Sequence, residues 1–182
     1  MMKKLKTKRL VIRPYELSDQ EAVYEVINDP IIYRTTLNIP YPYPKEQVAT
    51  WLYFTQKNRE YKKGYEWGIF KENQYIGNIG LVIIDHKHHH SELCYFISSN
   101  EMGKGYATEA ILEVLHYGFN DLALERIVAR CMIHNEASKK VMQKCGLLFE
   151  GISRHEVLKE NQYIDVYQTA IIKEDYINSY RK

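Results

Sequence analysis

One segment limits what this chain can fold into more than any other. Residues 92–98 (Glu-Leu-Cys-Tyr-Phe-Ile-Ser) read as a strand, and Asn100-Glu-Met-Gly-Lys-Gly-Tyr-Ala-Thr-Glu-Ala110 follows at once. From Glu109 to Phe119 the apolar residues Ile111, Val114, Leu115 and Phe119 fall at helical spacing. Ile127–Ile133 is a second buried strand. A strand, a helix and a strand over residues 92–133 predict a crossover between parallel neighbours, right-handed by the general rule.

The turn inside that unit carries chemistry. Gly103 and Gly105 have no Cβ, so a diphosphate can approach the backbone amides of Met102 to Thr108. The helix start adds positive potential there, and Lys104 a charge. Two other phosphate motifs are excluded. The spacing G-x-x-x-x-G-K-[ST] does not occur. In G-x-G-x-x-G the third glycine is replaced by Thr108, and the following strand ends at Ile133-His134-Asn135 without a ribose-binding carboxylate.

The remaining elements flank this unit. Arg9–Arg13 alternates and stops at Pro14, as a first strand would. Ser18-Asp19-Gln20-Glu21 has the pattern of a capping box before a helix through Val23, Val26 and Ile27, ending near Asn28-Asp29-Pro30. Three prolines exclude helix from residues 38–44, and Pro44 suits the first turn of a helix reaching about Lys62. Strands follow at Tyr65–Phe70 and Gln74–Asp85. A short helix runs from Asn135 to Cys145, with Gly146 beyond its end, and strands near residues 147–157 and 162–172 finish the chain. The expected fold is α/β: a mixed, mostly antiparallel central sheet with helices on both faces, in one domain spanning 1–182.

A net charge of +2 gives no global field for nucleic acid, and the early cluster Lys3, Lys4, Lys6, Lys8 and Arg9 reads as a solvated arm. No apolar run approaches the ~20 residues that span a bilayer, and no apolar signal segment opens the chain, so the expected location is the cytoplasm. Cys94, Cys131 and Cys145 lack C-x-x-C spacing and read as reduced thiols. The tract His86-Lys-His-His-His90 lies between two strands without ligand-spaced companions, so it reads as an exposed turn and no metal site is expected.

With these residues in view, the chain resembles the GNAT acetyltransferases, in particular their Rim-type branch of ribosomal-protein N-terminal acetyltransferases. Met102–Ala110 is similar to the family's pyrophosphate-binding signature. Thr7–Pro14, Tyr75–Leu81, Ser91–Ile97, Asn135–Ser138 with Lys144–Leu147, and Tyr163–Tyr167 resemble further segments of that branch, so the likeness covers nearly the whole chain. It departs at Met102, where the family prefers Gln or Arg. The resemblance implies acetyl-coenzyme A as cosubstrate and strands that splay to admit its pantetheine arm. The arm would pair with Phe96, Ile97 and Ser98, and the phosphates would meet Met102, Gly103, Lys104, Gly105, Tyr106, Ala107 and Thr108. Asn135 and Ser138 would contact pantetheine and the thiol.

Amine acylation needs a neutral nucleophile, a held oxyanion and a proton for the leaving thiolate. Glu92, at the start of the central strand, is the expected base, and a backbone N–H near Phe96 the expected oxyanion donor. Many GNAT enzymes carry a tyrosine acid on the short helix; by that spacing the position here is Met142, which has no proton to give. Ser138 is the expected substitute. Glu156 and Tyr163 are weaker site candidates, and Tyr33, Tyr41 and Tyr43 lie where the fold builds its acceptor groove. The expected reaction is acetylation of a primary amine, such as a peptide or protein N-terminus. A small amine such as a polyamine or antibiotic, and a non-catalytic coenzyme A sensor, are the alternatives. The oligomeric state is not readable from the sequence.

Overall fold

The computed structural model describes residues 3–180, the side chain of Tyr180 excepted. Eight strands form one sheet: β1 (Leu5–Lys6), β2 (Val11–Arg13), β3 (Tyr65–Lys71), β4 (Gln74–Asp85), β5 (His90–Ile97), β6 (Arg126–Met132), β7 (Leu148–Lys159) and β8 (Gln162–Ile172). Their spatial order is β1-β2-β3-β4-β5-β6-β8-β7. Every neighbouring pair is antiparallel except β5 with β6. Helices α1 (Gln20–Ile27), α2 (Pro30–Thr35) and α3 (Lys45–Glu60) precede β3. Helix α4 (Tyr106–Asn120) joins β5 to β6, α5 (Glu136–Lys144) joins β6 to β7, and α6 (Lys173–Tyr180) closes the chain.

Strand alternation divides the apolar residues between two cores. Trp67, Ile69, Ile76, Ile79, Leu81 and Ile127 face α4, which presents Ile111, Val114, Leu115 and Phe119, all at most 1% exposed. Each such side chain contributes on the order of 1.5–3 kcal/mol through burial. On the other face Phe70, Tyr75 and Phe96 meet Val23 and Ile27 of α1, Ile32 of α2, and Val48 and Leu52 of α3. Helices therefore cover both faces, as the alternating pattern implied.

Several details differ from the sequence reading. The capping box expected at Ser18–Glu21 does not form. Asp19 ends a 3-10 turn instead, accepting from the Glu16 amide at 2.8 Å and from both terminal nitrogens of Arg13 at 2.8 and 2.7 Å. A charged two-pronged donor outcompetes a hydroxyl cap. Asn28-Asp29-Pro30, read as a stop, also starts α2: Pro30 takes the first helical position and the Asp29 carboxylate accepts from the Ile31 amide at 2.7 Å. The basic arm is not simply solvated. Leu5–Lys6 pairs with β2, Lys3 meets Asp121 at 3.3 Å, and Arg9 lies outside β2 and folds onto α4. Helix α4 begins at Tyr106, three residues before the periodic stretch. The short elements β1 and α6 carry too little periodicity to read. Residues 86–89 of the histidine tract form the β4–β5 turn and His90 opens β5; the turn is held by Asp85, whose carboxylate accepts from the amides of Lys87 and His88 at 2.8 Å each.

Candidate active site

Parallel pairing between β5 and β6 runs from His90–Arg126 to Leu93–Ala129 and then stops. Strand β5 continues along β4 to Ile97, while β6 continues along β8 to Met132. The two strands therefore diverge after Leu93, leaving a gap beside residues 94–97. The Ser98 amide donates to the Ile76 carbonyl at 2.7 Å. By the alternation of an antiparallel ladder, Phe96 also points its N–H toward β4, and Tyr95 and Ile97 point theirs into the gap.

Two cavities meet at this gap. The first, about 420 Å³, is walled by α3 and the loop 35–40, with Glu66, Asn78, Glu92, Cys94 and Arg130 on the sheet side. The second, about 320 Å³, runs from Ile97 past the glycine turn to α5. Thr35, Thr36, Tyr95, Phe96 and Ser138 line both. Of the residues assigned to the cofactor, Phe96, Ile97, Met102, Gly103, Gly105, Tyr106, Ala107, Thr108, Asn135 and Ser138 line the second cavity. Ser98 and Lys104 do not: Ser98 points its amide at β4, and Lys104 Nζ pairs with Glu101 at 3.0 Å.

Gly103 and Gly105 have φ values of +75° and +83°, in the left-handed region that favours glycine. Gly105 is the residue before α4, so the amides of Tyr106, Ala107 and Thr108 belong to the unbonded first turn. The Arg9 guanidinium lies against this turn. Its Nη1 donates to the Lys104 carbonyl at 3.0 Å, its Nε to Glu109 at 2.6 Å, and its Cζ sits 4.4 Å above the Tyr106 ring. Lys140 and Lys144, one helical turn apart on α5, line the same cavity. One end thus offers amides and cations, and the other an apolar slot at Ile97, Ala137 and Val141. That donor set suits a diphosphate joined to a long neutral arm.

At the junction, the Tyr95 hydroxyl and Ser138 Oγ are 2.7 Å apart. Burial pushes the Tyr95 phenol well up, so it stays protonated at neutral pH. The Asn135 side chain caps α5, accepting from the Ser138 amide at 3.0 Å, and donates to the Thr35 carbonyl at 3.0 Å. Met142 is fully buried, and the Thr169 hydroxyl lies 3.3 Å from its sulfur. The position where a helix tyrosine was sought therefore faces the core, and the phenol at the junction is that of Tyr95 on β5.

Glu92 and Arg130 form a two-pronged pair at 3.1 and 3.0 Å, and Arg130 also holds Glu156. Glu66, absent from the sequence reading, lines the same cavity. Asn78 donates to its carboxylate at 3.2 Å, and Trp51 lines the same cavity. Tyr43 also lines this cavity, Tyr33 packs under Lys159, and Tyr41 is exposed. Tyr163 is exposed and stacks on His155. Among the described residues no cluster of three metal-ligating side chains occurs, and no helix is long and apolar enough to cross a membrane.

A family model described as an acetyltransferase (GNAT) domain matches residues 9–148. The chain belongs to the GNAT acetyltransferases. The uncharacterized N-acetyltransferase YnaD of Bacillus subtilis (strain 168) is 33% identical to it, over 93% of this chain and 97% of that one. Spermidine N(1)-acetyltransferase of Escherichia coli (strain K12) is 25% identical over 93% of this chain and 89% of its own length. Among solved structures, the ribosomal L7/L12 α-N-protein acetyltransferase RimL, in complex with coenzyme A, has the same fold. Its TM-score is 0.88 at 17% identity, with 93% of this chain and 98% of that one covered. This GNAT chain is accordingly an acetyl-coenzyme A-dependent N-acetyltransferase with a Rim-like fold.

Proposed function

We propose that the enzyme acetylates the α-amine of a peptide or protein, with acetyl-coenzyme A in the cavity beside the glycine turn and the amine in the cavity under loop 35–40. The observation that carries this reading is the meeting of the two cavities at Tyr95, Phe96 and Ser138. An acetyl group delivered along one reaches an amine delivered along the other only there.

In this reading the turn amides, Arg9, Lys140 and Lys144 hold the phosphates. The backbone N–H groups of Tyr95 and Ile97 face the gap, where developing negative charge on the acetyl oxygen is stabilised by fixed dipoles. The Tyr95–Ser138 pair supplies the proton that the departing thiolate takes. Glu92, both oxygens engaged by Arg130, is assigned to the wall of the amine cavity as half of an ion pair. A built proton donor at the junction favours turnover over a coenzyme A sensor.

The cavity wall bears on the acceptor. Ile27, Leu37, Ile39, Pro40, Tyr43 and Trp51 make it largely apolar, with carboxylates only at Glu66 and Glu92. A peptide terminus brings one cation followed by side chains that bury apolar surface, whereas a polyamine brings a cation every few carbons. The test is mass spectrometry on two peptides that share an internal lysine and differ in a free or blocked N-terminus, alongside spermidine. Acetylation at the free α-amine is expected; acetylation of spermidine alone, or of lysine equally in both peptides, contradicts the α-amine assignment.

A further inference from the structure

We infer that Glu66 is the group that receives the acceptor's ammonium and takes its proton, a role that rests on the amine-acetylation reading above. The argument starts from strand register. Glu66 on β3, Gly80 on β4 and Cys94 on β5 stand in one row across the sheet. A Cβ at Gly80 would lie 2.6 Å from Glu66 Cγ and 3.3 Å from Cys94 Sγ. A glycine in the middle of the row is what lets a carboxylate lie flat over β4 and face the cavity.

What surrounds Glu66 decides its chemistry. From β4, Asn78 donates at 3.2 Å, and from α3 Trp51 lines the same cavity. The titratable groups nearest to it are neutral: the Cys94 thiol on β5, and Tyr15 and Tyr75, whose hydroxyls are 3.2 Å apart, with Tyr15 donating to the Asn78 carbonyl oxygen at 2.6 Å; beyond them Arg13 is paired with Asp19 at 2.7 Å. Burial pushes the thiol and both phenols well up. The nearest charged side chains lining the cavity, Glu92 and Arg130, satisfy each other. Among the described residues no cation pairs with Glu66. A part-buried carboxylate facing the cavity with a neutral donor and no counter-ion is raised by desolvation, here to about 7. Two carboxylates thus share a cavity in opposite surroundings, the arrangement that separates a structural ion from a working base.

The proton balance follows. The acceptor enters as R–NH3⁺ and gives one proton to Glu66, directly or through a water. The neutral nitrogen attacks the thioester carbonyl, forming C–N. As the C–S bond breaks, the sulfur takes a proton from the Tyr95–Ser138 pair, and the nitrogen's second proton restores that pair. Glu66 releases its own to solvent. A base near 7 meets an α-amine of ~7.7–8.0 at far less cost than a lysine of ~10.4, so the same residue favours α-amines.

The experiment compares the native enzyme with Glu66→Gln and Glu66→Asp between pH 5.5 and 8.5, with the free-terminus peptide and spermidine as acceptors. The ratio of native to Gln kcat/KM cancels the acceptor's own ionisation. It is expected to rise about tenfold per pH unit below 7 and to level above it at roughly 10² or more, with Asp partly restoring the rate. Coenzyme A affinity should be unchanged. A ratio that does not vary with pH, or stays within threefold of one, overturns the assignment. A native enzyme that acetylates only spermidine contradicts the peptide reading and leaves the ratio to decide Glu66.

A stability measurement covers a native enzyme that acetylates neither acceptor, which would sink the functional reading itself. The folded carboxyl titrates above its unfolded value, so the folded state binds more protons between about 4.5 and 7 and native stability falls as pH rises through that window. The Gln variant lacks this loss. Its Tm should gain on the native protein from pH 5 to pH 8, and a gap that stays constant overturns the Glu66 assignment independently of any acceptor.

Discussion

Tyr95→Phe lowers kcat by roughly 10²-fold with its acceptor and leaves acetyl-coenzyme A affinity within about threefold, the signature of a lost general acid. The leaving group sets the demand. A thiol of pKa ~8.5 departs as an anion at the moment of C–S cleavage, and a proton delivered then lowers the barrier. The hydroxyls of Tyr95 and Ser138, 2.7 Å apart, are the proton-bearing side-chain pair on the β5 side of the junction. Phenylalanine keeps the ring between β5 and α5 and removes only that hydroxyl, so the fold is conserved. Ser138→Ala should cost a similar factor. The double variant should be little worse than either single one, because groups that pass one proton act as a unit. Rapid measurement of thiol release separates chemistry from product release. Multiplying losses in the double variant would mean that the two hydroxyls act independently.

Gly77→Ala destabilises the protein by about 1–3 kcal/mol and also impairs turnover. Gly77 lies on β4 opposite Ile97, and a Cβ there would overlap the Phe96 carbonyl oxygen and stand 3.1 Å from Ile97 Cα. Both neighbours are backbone, which cannot rotate aside as a side-chain tip can. The relief is for β5 to move away from β4 at residues 96–97, into the gap between the cavities. An apparent Tm lower by about 3–10 °C is expected for a chain of this size. The accompanying loss of kcat should exceed the loss of coenzyme A affinity, because the turn at 103–105 lies further along the chain. An alanine variant with native Tm and native turnover would show that β5 yields there without consequence.

The large features were legible because they are periodic or punctuated. Alternation placed most strands within a few residues, and helical spacing found α4. The glycines at 103 and 105 marked the turn that lines the second cavity, since no other residue suits two positive φ values so close together. Belonging to the family was readable from the same segments. The side-chain constellation was not, because it is assembled across the chain. Tyr95 reaches Ser138 over 43 residues, and Arg9 reaches Glu109 over 100. A tyrosine was sought by spacing on α5, where the register turns Met142 into the core. Glu66 looked like any strand carboxylate, and only the row Glu66–Gly80–Cys94 reveals that it lies over the sheet in the cavity wall. Helix α2 was hidden because Asn-Asp-Pro ends one helix and starts another within three residues, and a stop signal and a cap are written with the same letters.

The central claim, that acetyl transfer takes place where the two cavities meet, is tested most directly by a crystal structure with coenzyme A bound. The expected result places the diphosphate on the amides of residues 103–108, the pantetheine amides against the β5 backbone beside Tyr95 and Ile97, and the sulfur within hydrogen-bonding reach of Ser138 Oγ. A thiol lying outside the gap, away from Tyr95 and Ser138, would contradict it.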